Sequence, residues 1–321
     1  MKFDSLFEAG FKELGVRFFL VALLPTMMFA MFVVGLYASG APQHPPSWPL
    51  FVASVNAFDV SHWVGLMFAV LLLALASQPL QLLLVRWMEG YWGDGPARSF
   101  WRDSLVEQQA KRYDSLKTKT QAEGAPTPAQ LAIMGEAAHH LAQHFPDRDR
   151  LLPTSLGNAL RAAEDLATRR YGLDTITLWP RLYLMVSPKL AAALDSARNQ
   201  LDFSARMAVM LEVSALAAGA MLRSDPSWWW LPLGLALLGW LTYRSCVEAA
   251  VAYGAGIQTA VDLHRFDVLK ALHIALPKDA ATEREVFAKV SDFLRQGIPH
   301  DQTYEHSKPE AKANPMLADG V

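Results

Sequence analysis

The stretch Ser187 to Leu222, SPKLAAALDSARNQLDFSARMAVMLEVSALAAGAML, is polar in its first half and apolar in its second, with no proline after Pro188. Serine is a good helix cap and proline fits the first helical position, so a helix is expected to start here and run unbroken to Leu222. From Pro188 to Leu222 the run is 35 residues. At a rise of about 1.5 Å per residue it extends over roughly 50 Å, so about 20 Å must project beyond a bilayer core of about 30 Å. Leu190, Leu194, Ala197, Leu201, Ser204, Ala208, Leu211 and Ala215 recur in alternating steps of four and three, the 3.5-residue period of a packed seam. Two partners fit that seam, the next helix of the same chain and another subunit. One helix that both crosses the membrane and leaves it sets the class: an all-α integral membrane protein with stalks.

Beyond it, the short turn RSDPS leads to Trp228, Trp229 and Trp230, placed where an outer aromatic belt belongs. Apolar sequence returns to Tyr243, and helix-compatible sequence continues past Arg244 to Leu276, with Gly254 and Gly256 as places where it can bend. Residues 187–276 are therefore expected to form two stalk helices and a second transmembrane hairpin, with spans at about 205–222 and 228–246. Residues 277–321 hold a short cytoplasmic helix, Glu283 to Gln296, and a polar, proline-bearing tail of the kind that stays disordered.

In the other direction, Val16 to Tyr37 is almost wholly apolar, and a second run follows from Trp63 to Val85, carrying Pro79 near its inner end. The loop between them, Ser39 to His62, has no Lys or Arg and is rich in proline, which places it outside by the positive-inside rule. Residues 16–85 thus read as the first hairpin, with spans at about 16–37 and 63–85. A signal peptide is disfavoured, because the first apolar run is too long and Asp4, Glu8 and Glu13 precede it. Residues 1–15 place Phe3, Leu6, Phe7, Phe11 and Leu14 on one helical face, suited to lying in the interface. Between the hairpins, residues 86–186 form a cytoplasmic helical domain: MEGYWGDGP breaks the helix, helical pattern resumes from Arg98 to about Gln121, AEGAPTP links, and another helix covers Pro128 to about His144. The whole reading is four transmembrane helices in two hairpins, with that domain inserted and both termini cytoplasmic.

The composition agrees. Of 321 residues 52% are apolar, concentrated in those runs, and the net charge of −2 gives nucleic acid no general attraction. Lys111, Arg112, Lys117 and Lys119 make a local basic face, diluted by Glu107, Asp114 and Glu123, which suits solvent or lipid headgroups better than nucleic acid. One cysteine, Cys246, excludes an internal disulfide and a cysteine-based metal cage within one chain.

Candidate residues follow from position. Glu212 lies ten residues below Leu222 and so about 15 Å into the bilayer, where a carboxylate must face protein, water or a partner. It is either a pore-lining or proton-handling group or a packing residue among Ser214, Ala215 and Gly219. Arg206 on the third span falls at a depth similar to Arg244 and Glu248 on the fourth, which predicts ion pairing at the inner interface or a charged ring at an inner mouth. Glu136, His140 and His144 share a helical face at steps of four, a spacing that loosely resembles a metal-binding helix. It lacks the His-Glu-x-x-His order, so a surface helix before Pro146 is the plainer reading and no metal or cofactor is expected. There is no GxGxxG, GxxxxGK[ST] or GxSxG, which removes the common nucleotide loops and the nucleophile elbow.

In LLPTSLGNALRAAEDLATRRYGLDTITLWPRL, Leu151 to Leu182, Thr154 or Ser155 can cap a helix from about Leu156 to Tyr171, and Gly172 can end it. Gly157 admits a close backbone or ligand, and Pro180 favours an extended TITLW. Asn158, Glu164, Asp165, Arg169, Arg170, Asp174, Trp179 and Arg181 crowd this run, making either a buried ionic network or a ligand pocket. It directly precedes the long third helix, so it reads as a coupling piece with Asp174 and Arg181 holding the joint.

The words LPTSLGNALRAAED, RYGLD and WPRL, preceded by EGYWG, resemble a group of uncharacterised bacterial multi-pass membrane proteins over about residues 80–210. The resemblance implies an inner-membrane location and brings no activity, substrate or cofactor. The functional expectation is an oligomeric pore or channel-type effector, a homo-oligomer in the lipid bilayer gated by a cytoplasmic protein or small-molecule signal. A non-catalytic scaffold anchoring a cytoplasmic partner is the alternative, and a membrane-embedded enzyme the third.

Overall fold

A computed structural model describes residues 17–93, 95–122, 125–299, 301 and 303–306. The interfacial helix expected before residue 16 and the tail expected beyond residue 306 lie outside them. Among the described residues the regular structure is helical, with one isolated bridge between Ile274 and Tyr304. Among the described residues three helices are long and apolar enough to cross a membrane: α1 (Phe18–Ala38), α3 (Val60–Ser77) and α9 (Pro188–Met221). This is consistent with a membrane protein. The surface of α3 agrees, because Val64, Met67, Phe68, Leu72, Leu73 and Leu75 are exposed while Val70 and Ala74 are buried, a pattern suited to lipid on most sides.

Two boundaries in the first apolar half differ from expectation. The second span stops at Ser77 instead of continuing to Val85, because Pro79 interrupts it, and a separate helix α4 (Gln81–Glu89) follows. The proline-rich connection after α1 holds its own helix, α2 (Trp48–Asn56), begun by Pro49 in its first turn. The helix α10 (Trp230–Ala271) is not among the three: its uncharged opening, Trp230 to Tyr243, is only 14 residues long before Arg244.

The chain divides into two compact units. The first comprises the described residues of 1–166 and 188–258, the second those of 167–187 and 259–321. In the first unit α9 answers the question its seam posed. Leu194, Leu201, Ser204, Ala208 and Ala215 of that seam are buried, and their partner is the next helix of the same chain. Leu194 lies over Gly256, the Leu201 carbonyl accepts from Cys246 Sγ at 3.8 Å, and Glu212 lies across Gly239, so α9 and α10 run antiparallel. At one end Leu36, Ala218 and Leu222 cluster with Trp228 and Leu231. At the other, Met88, Leu156, Ala159, Ala205, Ala208, Val247 and Ala250 bring α4, α7 (Ser155–Tyr171), α9 and α10 together. Small residues dominate there, so the backbones approach closely. Gly254 meets Ala163 in the same way, and both glycines serve packing while the helix passes through them uninterrupted. The unit also holds α5 (Pro96–Lys119) and α6 (Pro128–His144), the latter opened by a capping box between Thr127 and Gln130.

The second unit contains the end of α7, α8 (Thr175–Leu182), the end of α10 and α11 (Ala280–Gln296). Here TITLW is helical, not extended. Asp174 accepts from the backbone N–H groups of Ile176 and Thr177 at 3.1 and 3.3 Å, and Leu178 and Leu182 bury one face of the turn. Cap and burial together outweigh the preference that Pro180 imposes on its neighbour.

Candidate functional site

The words EGYWG and LPTSLGN meet in space. Helix α4 ends at Glu89 with Gly90 in the left-handed region (φ 99°), and Gly90 packs so tightly on Pro153 that a Cβ there would lie 2.3 Å from its ring. A Cβ on Gly157 would lie 2.1 Å from the Glu89 carbonyl oxygen, so glycine is required for this contact. Thr154 caps α7 by accepting from the Gly157 N–H at 3.0 Å. Asn158, fully buried, accepts from the Leu152 N–H at 2.7 Å and donates to the Leu152 carbonyl at 3.0 Å, fixing the loop that carries Pro153. Around this joint Arg161 donates to Tyr91 Oη at 2.8 Å, and Arg150 pairs with buried Asp165 at 2.6 Å.

The joint aims the start of α7 along α4. Glu89, Leu160 and Glu164 line a crevice of about 820 Å³ together with Arg17, Gln81, Arg198, Asp202 and Tyr253. Its acids stand in unlike settings. Asp202 of α9 pairs with Arg17 at 2.8 Å, and its backbone carbonyl accepts from Gln81 at 3.4 Å. Glu89 faces Glu164. Burial, and then repulsion from Glu164, push the Glu89 carboxyl up to about 7, against the opposing pull of Arg86 and Arg161. Near neutral pH the Glu89 carboxyl is therefore divided between its protonated and ionised forms. Beside the crevice Arg206 is buried, donating to Ser77 Oγ at the carbonyl end of α3 and to the Val21 carbonyl at 3.4 Å. It ties α9 to α1 and α3.

The expected site residues fall in several places. Asn158 and Glu164 belong to this joint and crevice. Arg206, Arg244 and Glu248 do not form the expected cluster: Arg206 binds Ser77 and Val21, Arg244 stacks over Trp240 at 5.6 Å, and Glu248 approaches His144 at 3.7 Å. Glu212 is exposed at the edge of α9, its side chain across Gly239. His140 and His144 stack at 3.9 Å, and among the described residues no three His, Cys, Asp or Glu side chains converge to hold a metal.

Arg170, Asp174, Trp179 and Arg181 lie in the second unit. There Arg170 approaches Asp262 at 3.7 Å, Asp174 pairs with Arg295 at 3.4 Å and Trp179 tilts onto Tyr183. Arg181 is exposed and donates to the Thr177 carbonyl at 3.0 Å, so Asp174 and Arg181 are not partners across a joint. Glu89 and Asp202 are not among the residues that the sequence singles out. The available signal for Glu89 was the coincidence of a helix-ending EGYWG with a helix-opening glycine that demands a close backbone. No protein-family model, curated protein or solved structure matches this chain.

Proposed function

We propose that the chain is a bacterial inner-membrane protein that conducts ions as a homo-oligomer and is gated from its cytoplasmic side through the Glu89–Glu164 crevice. Four spans in two hairpins fit it, with the opening of α10 as the fourth, short span antiparallel to α9. The supporting observation is the crevice itself: two facing carboxylates where α4, α7 and α9 meet, beside the buried Arg206 that secures the ends of α1 and α3. Protonation, a cation or a cationic ligand changes the repulsion between Glu89 and Glu164, and α9 carries that change along its length. Glu212, Val213 and Leu216 are exposed on α9, where neighbouring copies would close a lumen.

The test is ion flux through liposomes holding the purified protein, from pH 5 to pH 9. Wild type is expected to conduct with a transition near neutral pH, Glu89→Gln to conduct without it, and Glu212→Gln to alter conductance at every pH. An impermeable wild type across the whole range overturns the proposal. A scaffold that anchors a cytoplasmic partner has its own support in the second unit, where Ile176, Leu184 and Met185 are exposed apolar residues. It expects a pull-down that Ile176→Asp abolishes and Glu89→Gln leaves intact.

A further inference from the structure

A second crevice of the first unit, of about 840 Å³, lies between α5, α6 and α10 and takes no part in the gating proposal. Its wall is cationic and aromatic: Lys111 and Arg112 from α5, Arg244 from α10, and Trp92, Trp240 and Tyr243. The cations differ in how far they are satisfied. Lys111 is held by Glu107 at 2.9 Å. Among the described residues Arg112 and Arg244 have no carboxylate partner, and Arg244 is stacked on the Trp240 ring. The acid on this wall, Glu248, faces His144. On the floor Gln109 is buried, gives Ser155 one long hydrogen bond at 3.5 Å, and leaves its side-chain oxygen without a partner among the described residues. Buried amides are ordinarily satisfied, so this floor retains polar capacity for an occupant.

Two features identify that occupant. Two guanidinium groups without carboxylates suit a phosphate, which accepts the paired N–H donors that guanidinium presents. Immediately along α10 from Arg244 the exposed side chains are apolar: Leu237, Leu238, Trp240 and Leu241. A molecule with a phosphate at Arg112 and Arg244 and hydrocarbon along that strip is a phospholipid. Tryptophan and arginine at the foot of an apolar helix are the side chains that settle at headgroup level. We infer that this crevice binds the phosphate headgroup of an anionic lipid, with the acyl chains lying along Leu237 and Leu241. The inference rests on the membrane reading and not on conductance.

The experiment is native mass spectrometry of the purified full chain with defined lipids, phosphatidylglycerol against phosphatidylcholine, with glycerol phosphate as a soluble competitor. Wild type is expected to retain phosphatidylglycerol about tenfold more tightly than phosphatidylcholine. Arg112→Gln with Arg244→Gln should lose roughly thirtyfold, about fivefold for each cation near an anionic headgroup. Arg112→Lys with Arg244→Lys should recover most of it, and Arg181→Gln, an exposed arginine of the second unit, should change nothing. Helical content measured by circular dichroism confirms that the glutamine variant is folded. Equal retention of the two lipids, or undiminished retention by the folded glutamine variant, overturns the site. Displacement of the lipid by glycerol phosphate at equal concentration overturns the lipid as occupant and leaves a soluble phosphate ester. A protein that holds the lipid yet passes no ions supports this site while sinking the conductance proposal.

Discussion

Both compact units pair carboxylates with cations, and the first, in one crevice, also sets a carboxylate beside another. In the second, carboxylates meet cations: Glu283 with Arg265 at 2.6 Å, Asp174 with Arg295, and Asp262 with Tyr171 and Arg170. Arg265 is further enclosed by the faces of Tyr171 and Phe266. In the first, Glu89 meets another carboxylate, Glu164, in a crevice and is pushed up to about 7. The second arrangement builds structure; the first holds a group away from its preferred state. Unfavourable placement that persists is what marks a place where protonation or a ligand can act, which is why the crevice, and not the denser charge cluster, carries the functional proposal.

The largest effect should come from the contact that creates the crevice. Gly157→Ala places a methyl group against the Glu89 carbonyl, and neither backbone can yield cheaply. A loss of about 3 kcal/mol or more is expected, read as a large drop in the melting temperature of the detergent-solubilised protein. Gly135→Ala, where a Cβ meets nothing within 4 Å, is the matched control and should be neutral or slightly stabilising. Equal behaviour of the two variants would remove the close approach on which the joint depends.

The comparison sharpens when one chemical change is made in both units. Glu283→Gln removes the charge facing Arg265 in a pair whose side chains are 13% and 17% exposed, and should cost about 1–3 kcal/mol at pH 8. Glu89→Gln should do the reverse. Its folded value of about 7 lies above the ordinary 4.5, so folding favours the protonated form; that contribution is full below pH 4.5 and is lost as the pH rises through 7. Glutamine stays neutral, so the variant should match wild type near pH 4.5 and exceed it by about 1–3 kcal/mol at pH 8. The neighbours that set this balance are Arg86 on the same helix and Arg161 and Glu164 on α7. Destabilisation at pH 8 by both substitutions would erase the distinction between the units.

Much of the fold was legible because it follows from one-dimensional signals. The apolar runs, the cap at Ser187–Pro188 and the 3.5-residue seam locate α1, α9 and the start of α3 to within a few residues, whereas the end of α3 falls at Ser77 and not at Val85. The partner of the seam was not legible, since the stripe Leu194, Leu201, Ala208 would serve either a helix of the same chain or a second copy. What decides is a pair of glycines 27 and 62 residues further along, Gly239 opposite Glu212 and Gly256 opposite Leu194. The site was legible only in part. Sequence adjacency made Leu151 to Leu182 look like one functional block, yet helix α7 sends Asn158 and Glu164 into one unit while Arg170, Asp174 and Arg181 fall in the other. The carboxylate that Glu164 faces comes from residue 89, and separations of that length leave no periodic trace.

Asp174 and Arg181 provide the smallest and most discriminating case, because the sequence suggested they act together. In the structure Asp174 is a helix cap: its side chain accepts from Ile176 and Thr177 and reaches Arg295, while its backbone N–H donates to Ser291 at 3.1 Å. Asp174→Ala should therefore cost about 1 kcal/mol, the usual worth of a cap. Arg181 is exposed and spends one N–H on a carbonyl of its own helix, so Arg181→Ala should change stability by less than about 0.5 kcal/mol. The double variant should cost close to the sum of the two, because they do not touch each other and meet only through different groups of Thr177. A coupling above about 1 kcal/mol in that cycle, read from thermal unfolding, would restore the joint and show that the second unit too holds a functional pair among its structural ones.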